Sequence, residues 1–347
     1  MPSLDAYINT VNVFQGKEEA KILQITDLHW SYGSDVERQQ KYLSALVRNT
    51  NPDIVVATGD NVCNANKQTW ENMLSVFDSF NVPYFIVYGN HDYQGFYRPT
   101  FPYEEMRRHA RCLNIHPDDN MKGETNFVIN LSDGNETKYQ LFAIDSLNLN
   151  QTWSPMAEYD VISYGQIDWY ERQVQYASTQ VDEHTVKRVP SLIFTHIPIW
   201  QIEYAYRLSK GQTSQGTLVA ASGEMRESVY SSAPNELKGT RAWVGYKDTG
   251  LFASVEKYQS TKGIFFGHDH KNTFAAKYFE HSSAYDDFEV TLAYGVKTGD
   301  GLSFDEEFLG GNLISIKSNG DLQCFRAFQS YQNDYSSGNG YRLENMF

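Results

Sequence analysis

The sequence predicts an α/β fold built on a largely buried, mixed β-sheet. In the first half of the chain, short apolar runs alternate with segments whose apolar residues recur at helical spacing, as strands separated by helices do. The last third differs, because strand-like runs at residues 290–296, 312–316 and 322–328 follow one another without long helices between them. Antiparallel neighbours need only short connections, so we expect a sheet that contains both parallel and antiparallel pairs.

The elements are predicted in the following order. A strand at residues 21–26 precedes a helix that begins with Ser34 and Glu37 as a capping box and ends at Asn51-Pro52, since proline disfavours helical geometry in the residue before it. Further strands are expected at residues 54–57, 84–88, 141–144, 191–194 and 263–266. Two further helices are predicted from apolar faces made of Trp70, Met73, Leu74 and Phe77, and of Ile167, Tyr170 and Val174.

Composition limits the class of protein. The 347 residues include 43 acidic and 29 basic side chains, a formal net charge of -14. Hydrophobic residues make up 41%, which is enough for a buried core. The acidic excess repels a phosphate backbone, so nucleic acid is not an expected partner. Three widely spaced cysteines form no disulfide framework.

No linker divides the chain, so we expect one domain over residues 1–330 and a polar surface tail over residues 331–347. No apolar run is long enough to span a membrane. The first residues lack the basic and apolar segments of a signal peptide. The compartment therefore stays open: cytoplasmic if the chain is full length, or secreted if it is a mature or truncated form.

Polar side chains follow five of the predicted strands directly. Strand carboxyl ends in open α/β sheets gather into one crevice where ligands bind, so these side chains are expected to converge. The candidates are Asp27, His29, Asp60, Asn90, His196, His268 and His270. Each motif alone has an ordinary structural explanation, such as a turn or a core histidine. All of them in order, each ending an apolar run, favour a metal site.

The residue types indicate what the site binds. Imidazole, carboxylate and amide donors without a thiolate suit hard or borderline cations, so Fe, Zn, Mn and Mg all remain candidates. Four ligands for each of two ions require eight contacts, which seven residues supply if one carboxylate bridges. Two ions about 3.5–4 Å apart are the usual arrangement for metal-assisted hydrolysis of phosphate esters. Glycines before Asp60, Asn90 and His268 allow sharp turns there.

These motifs resemble those of the calcineurin-like metallophosphoesterases, over roughly residues 20 to 300. The sequence is most similar to the purple-acid-phosphatase-like phosphatases that lack the N-terminal β-sandwich domain. The segments that carry this narrower likeness are His196-Ile197-Pro198, Phe266-Gly267-His268-Asp269-His270 and residues 294–299. The resemblance implies two packed mixed sheets flanked by helices, with a dinuclear metal site at one edge.

The resemblance also implies ligand roles. One ion is held by Asp27, His29, Asp60 and His270, and the other by Asp60, Asn90, His196 and His268, with Asp60 bridging. Purple acid phosphatases place an iron-binding tyrosine three residues after the bridging aspartate. Cys63 stands there in this sequence, so we expect a protein that is not purple and a cysteine that is a small buried apolar residue.

The resemblance predicts hydrolysis of phosphate monoesters by a hydroxide that bridges the two metals. In this mechanism His91 is not a ligand and donates a proton to the leaving group or stabilises charge in the transition state. Asp92 orients His91 and favours its protonated form. Substrate is expected to be a small phosphorylated molecule or a phosphoprotein. Residues 200–262 are the candidate substrate wall, and Trp30, Tyr32, Asn90, His91 and Tyr204 are candidate substrate contacts. Alternatives are a phosphodiesterase acting on cyclic nucleotides or small diesters, and a non-catalytic scaffold.

Overall fold

The computed structural model describes residues 2–94, 101–117, 120–150, 158–183, 185–226, 240–280, 288–331 and 340–347. The strands in these ranges are β1 Ile8–Val11, β2 Glu19–Ile25, β3 Ile54–Thr58, β4 Tyr84–Val87, β5 Phe127–Ser132, β6 Thr137–Ala143, β7 Leu149–Asn150, β8 Glu158–Tyr159, β9 Thr179–Gln180, β10 Val186–Lys187, β11 Ser191–Phe194, β12 Thr217–Ser222, β13 Thr261–Phe266, β14 Ala275–Phe279, β15 Val290–Tyr294, β16 Gly310–Lys317, β17 Leu322–Gln329 and β18 Tyr341–Asn345. The α-helices are α1 Val36–Thr50, α2 Lys67–Ser79, α3 Phe101–Met106, α4 Tyr164–Tyr176, α5 Trp200–Ser209 and α6 Leu251–Tyr258.

Two large mixed sheets form the centre of the molecule. The first has eight strands in the order β1-β5-β6-β11-β13-β15-β14-β12, and the second has six in the order β18-β17-β16-β2-β3-β4. In the first sheet β6, β11, β13 and β15 run parallel, and β14 and β12 pair antiparallel with their neighbours. Strand β5 pairs antiparallel with β6 and parallel with β1. In the second sheet β2, β3 and β4 are parallel and the other pairs are antiparallel.

The sheets pack face to face and helices cover their outer faces. Phe85 of the second sheet contacts Phe127 and Phe194 of the first, with ring centroids 5.8 Å apart in both pairs. The outer face of the first sheet forms a core with α4, α5 and α6, and the outer face of the second forms one with α1 and α2. The predicted four-layer α/β architecture is therefore confirmed. No helix in the described ranges is long and apolar enough to cross a membrane.

Details of three predicted segments differ. Helix α1 is capped by Asp35, whose carboxylate accepts a hydrogen bond from the Arg38 backbone N–H, and Ser34 is outside the helix. Residues 200–262 contain α5, β12 and α6 in addition to loops, and residues 227–239 lie outside the described residues. The predicted surface tail ends in β18, which pairs antiparallel with β17, and Met346 beyond it is 1% exposed.

Candidate metal centre

The site lies where strands of both sheets end. Strands β2, β3 and β4 of the six-stranded sheet lead into the loops that carry Asp27, Asp60 and Asn90. From the other sheet, β11 and β13 lead into His196 and His268. Backbone hydrogen bonds join the loops within each sheet, and the N–H of Asp27 donates to the Gly59 carbonyl at 3.0 Å. Parallel strand ends from two packed sheets thus meet at one edge.

The carboxylate of Asp60 lies among three imidazoles. Its Oδ2 is 3.2 Å from His196 Nε2, 3.8 Å from His29 Nε2 and 3.9 Å from His91 Nε2. The Oδ1 of Asp27 is 3.4 Å from His270 Nε2 and 3.8 Å from His29 Nε2. Asp60 is therefore placed to contact both halves of a metal centre.

Two groups of donor atoms share Asp60. Within each group all ligand atoms lie within 4.8 Å of one another; the groups are Asp27, His29, Asp60 and His270, and Asp60, His196 and His268. Asn90 adds an amide Oδ1 that is buried and makes no hydrogen bond within the protein. The structure thus brings six of the seven predicted metal ligands together in two groups that share Asp60, and the role of Asn90 as the seventh stays a prediction.

The environment of the donor atoms indicates that they suit a cation. The Nε2 atom of His268 and the amide Oδ1 of Asn90 are buried without a hydrogen-bond partner in the protein. Unpaired buried acceptors are costly. A positive ion bound to these atoms removes that cost.

The protonation states of His29 and His268 agree with this fit, whereas the carboxylates of Asp60 and Asp27 outweigh burial at His196 and raise its pKa to about 9 in the absence of a cation. Burial lowers the pKa of His29 to about 2 and that of His268 to about 3, so both rings are neutral near pH 7, as metal ligands must be. Burial alone would raise the pKa of Asp27 and Asp60, but neighbouring histidines outweigh it and hold both below the ordinary value. The two carboxylates are therefore ionised and ready to bind cations.

Hydrogen bonds at the far side of the rings orient two of the histidines. His196 Nδ1–H donates to the Thr58 carbonyl at 2.8 Å, and His270 Nδ1–H donates to the Ser303 carbonyl at 2.8 Å. A carbonyl can only accept, so each ring is fixed with its Nε2 lone pair toward the site.

The loop backbones have an unusual conformation at the ligands. Asp27, His29, Asp60 and His268 have φ values of 53°, 50°, 49° and 76°. This left-handed region costs a non-glycine residue about 1–3 kcal/mol and is concentrated at functional sites. Gly89 is required because there is no room for a side chain, and not because the backbone turns there. A Cβ at this position would lie 2.3 Å from Asp60 N and Oδ1.

His91 lies at the open side of the site. Its side chain is 26% exposed, and its Nδ1 is 2.8 Å from Gln94 Oε1. Because an amide oxygen only accepts, Nδ1 carries the proton and Nε2 points toward Asp60. Gln94 was not recognised from the sequence, where a glutamine three residues after His91 carries no distinctive signal.

Asp92 does not have the predicted role of orienting His91. Its carboxylate accepts hydrogen bonds from the N–H of Gly89 (2.8 Å), from Asn61 Nδ2 (2.8 Å) and from the N–H of Val62 (3.0 Å). Burial, with the nearby charge of Asp60, raises its pKa to about 7. Asp92 therefore joins the turn after β4 to the loop after β3, and Gln94 is the partner of His91.

Cys63 is partly exposed and not the buried apolar residue that the sequence predicts. Its Sγ lies 3.6 Å from His91 Nδ1, and it forms a third group of closely spaced donor atoms with His29 and His91. Burial and the nearby carboxylates raise the pKa of the thiol, which keeps it protonated near neutral pH.

The candidate substrate contacts separate into different environments. Trp30 is 0% exposed and packs in the core beneath α1 and α2, so the prediction that it binds substrate is wrong. Tyr32 is 84% exposed, and its role stays a prediction. Tyr204 packs against Trp200. Burial and the charge of Asp248, which is not a candidate metal ligand, raise the pKa of its hydroxyl.

Lys297 is a buried cation next to the site. It is 2% exposed, and its Nζ donates to the Asp27 carbonyl at 2.7 Å. Burial lowers its pKa to about 8. In the sequence, Lys297 is recognisable only as a lysine that follows an apolar strand. The fold shows that its side chain reaches the loop of Asp27.

The fold and the donor set define a four-layer α/β protein with a candidate dinuclear metal centre at the strand ends. A sequence model of the calcineurin-like phosphoesterase family matches residues 20–272, and the chain belongs to that family.

The chain is similar to two curated relatives in sequence and to one solved structure in fold. The chain is 21% identical over 302 residues to "Probable inactive purple acid phosphatase 29" of Arabidopsis thaliana, covering 76% of this chain and 70% of the relative. It is 24% identical over 301 residues to "Probable inactive purple acid phosphatase 28" of the same plant, covering 73% and 66%. A dimetal phosphatase from Danio rerio has a similar fold, with a TM-score of 0.52, 10% identity and coverage of 94% and 99%.

Proposed function

We propose that this protein hydrolyses phosphate monoesters at a dinuclear metal centre, with His91 donating a proton to the leaving group. The observation that supports it most is the position of the Asp60 carboxylate. Its Oδ2 lies within 4 Å of ligand candidates from two sheets and also of His91. A bridging carboxylate and a non-ligand histidine beside it are what the proposed reaction requires.

The residues present would hold two ions in the two donor groups that share Asp60. When bound, such ions supply hydroxide from water near neutral pH and neutralise charge on phosphoryl oxygens. The chain itself supplies geometry and a proton. Gln94 accepts the Nδ1–H of His91, so that Nε2 points toward Asp60 and a proton on Nε2 would reach a leaving oxygen bound beside that carboxylate. The imidazole, carboxylate and amide donors suit Fe, Zn, Mn and Mg.

The number of residues retained argues for a catalyst over a scaffold. The relatives named above carry the word "inactive" in their names. In this chain, however, all seven candidate ligands are present, six of them have donor atoms that converge, and His91 stands beside them. A scaffold has no need for buried histidines and ionised buried carboxylates in this arrangement, with a partly exposed histidine beside them.

The test compares a monoester with a diester on protein loaded separately with each candidate metal. We expect hydrolysis of p-nitrophenyl phosphate to exceed that of bis(p-nitrophenyl) phosphate. The reverse order would replace this proposal with the phosphodiesterase alternative. A protein with two bound ions and no hydrolysis of either ester would favour the scaffold.

A further inference from the structure

Two aromatic rings stand beside the metal centre on the side of His268. The ring of Tyr159 meets the His268 imidazole edge to face, with centroids 4.5 Å apart and planes at 89°. Trp243 packs against Tyr159 in the same manner, at 6.2 Å and 90°. Both side chains are only partly buried. Together these two residues are called the aromatic wall below.

The backbone of Tyr159 is held from both sides. Its carbonyl accepts a hydrogen bond from the Tyr246 N–H at 3.1 Å, and the next residue, Asp160, donates its N–H to the Asn148 carbonyl at 2.8 Å. A Cβ on Gly245 would lie 2.5 Å from the Asp160 carbonyl oxygen. The segment of Tyr159 and the segment of Trp243 are thus packed directly against each other.

Two buried carboxylates fix the segment that carries Trp243. Glu203, 1% exposed, accepts hydrogen bonds from the N–H groups of Arg241 (2.8 Å) and Ala242 (3.2 Å). Asp269, 3% exposed, accepts one from the N–H of Trp243 at 3.2 Å. Burying a carboxylate is costly unless it is well bonded, and neither of these has a part in the proposed hydrolysis.

Asp269 connects the wall to the metal ligands, because it lies between His268 and His270 in the chain and bonds the Trp243 backbone. Its carboxylate also accepts the Tyr294 hydroxyl at 2.6 Å. The aromatic wall is therefore fixed before any ligand binds. Packing a ligand ring against it costs the protein little conformational entropy.

We propose that Tyr159 and Trp243 determine specificity by packing against the aromatic ring of a phenolic phosphate ester while its phosphoryl group lies at the metal centre. This inference rests on the proposed function and names its substrate class. Tyr159 contacts a candidate metal ligand directly, so the ring it receives must be close to phosphorus. In a phenolic ester only one oxygen separates ring and phosphorus, whereas in a nucleotide the ribose carries the base further away.

Binding of stable analogues tests the wall without turnover. Dissociation constants of phenylphosphonate and methylphosphonate are measured by calorimetry on the metal-loaded protein. We expect the wild type to prefer phenylphosphonate. Tyr159→Ala and Trp243→Ala should each weaken phenylphosphonate by about 5- to 10-fold, the size of one aromatic contact, and change methylphosphonate by less than about twofold.

Matched variants separate ring packing from other effects. Tyr159→Phe and Trp243→Phe keep a ring and should retain the preference for phenylphosphonate. Tyr176→Ala removes a tyrosine that is 52% exposed and bonded to Asp5, and it should change neither ligand. Equal weakening of both phosphonates by the alanine variants, or loss of the preference in Tyr159→Phe, would overturn the inference.

Turnover provides a second arm. The ratio of kcat/KM for phenyl phosphate to that for ethyl phosphate should fall in both alanine variants relative to wild type, a comparison in which intrinsic reactivity cancels. Adenosine 5′-monophosphate should not share the effect; if it alone did, the wall would serve nucleosides and the proposal would be wrong. Phosphonate preference without any hydrolysis would refute the proposed function and leave the wall standing. Hydrolysis in which the alanine variants leave the ratio of phenyl phosphate to ethyl phosphate unchanged would refute the role of the aromatic wall and leave the proposed function standing.

Discussion

Replacing Asp92 with alanine should destabilise the fold around the site and not merely slow the reaction. The carboxylate receives hydrogen bonds from Gly89 N–H, Asn61 Nδ2 and Val62 N–H, at 2.8, 2.8 and 3.0 Å. Each buried donor left unpaired costs about 1–3 kcal/mol. Removal of a carboxyl group whose pKa burial raises to about 7 recovers part of that cost. A net loss of about 2–4 kcal/mol in the free energy of unfolding is therefore expected.

Urea denaturation of the metal-loaded protein, repeated in chelator, measures this loss for Asp92→Ala, Asp92→Asn and His91→Ala. Asp92→Asn keeps an oxygen acceptor and should lose less stability than Asp92→Ala. His91→Ala, at a partly exposed position, should unfold close to the wild type. If Asp92→Ala unfolds at the wild-type urea concentration and loses as much turnover as His91→Ala, then Asp92 acts through His91 and our interpretation of its hydrogen bonds is wrong.

Three further predictions concern the same edge of the sheets. His91→Ala should lower turnover roughly 10²–10⁴-fold and leave the metal content, measured by elemental analysis, intact. The control is His116→Ala, which replaces a histidine of similar exposure (25%) paired with a glutamate and should leave turnover unchanged. Unchanged turnover of His91→Ala on an ester with a poor leaving group would refute the acid role. Gln94→Ala should lower kcat about 10-fold, a typical effect of losing a partner that orients a histidine, with KM unchanged and with recovery in Gln94→Glu; a change in KM alone would contradict this. Gly89→Ala should lose bound metal and about 1–3 kcal/mol of stability through overpacking, whereas Gly33→Ala, with nothing within 4 Å of its added Cβ, serves as the control; metal retention in Gly89→Ala would show that the turn can shift.

The convergence of six candidate ligands could be predicted from the sequence because their signal is local. Each follows an apolar run, and apolar runs correspond closely to observed strands: residues 191–194 and 54–57 against β11 and β3. Once parallel strands are inferred, the convergence of their carboxyl ends follows from geometry alone. The pairing of Asp60 with both donor groups needed the resemblance to a family, since spacing does not assign ligands to ions.

Two edge strands, β12 and β18, were not predicted because neither has a buried apolar face. The edge strand β12 has exposed and half-buried residues in alternation and lies in what the sequence suggested was a substrate wall. Strand β18 is polar, because one side of an edge strand faces solvent, and it was expected to be a tail. In both cases pairing with a neighbouring strand decides the structure, and that partner is distant in sequence.

Side-chain roles that depend on distant contacts were the least predictable. Trp30 follows His29 directly, yet its backbone pairs with Val62 and its ring is buried. Tyr159 is over one hundred residues before His268 in the chain, and nothing in its surroundings in the sequence points to a metal ligand. Such contacts arise only when two sheets pack and their loops meet.

A metal titration tests whether this protein holds two ions that together hydrolyse phosphate esters. Metal-free protein is titrated with Mn²⁺ while bound metal and hydrolysis of p-nitrophenyl phosphate are followed together. We expect two ions per chain, activity that appears as the second site fills, and loss of both bound metal and activity in Asp60→Ala. Hydrolysis that persists in chelator, or an active protein saturated by a single ion, would contradict this expectation.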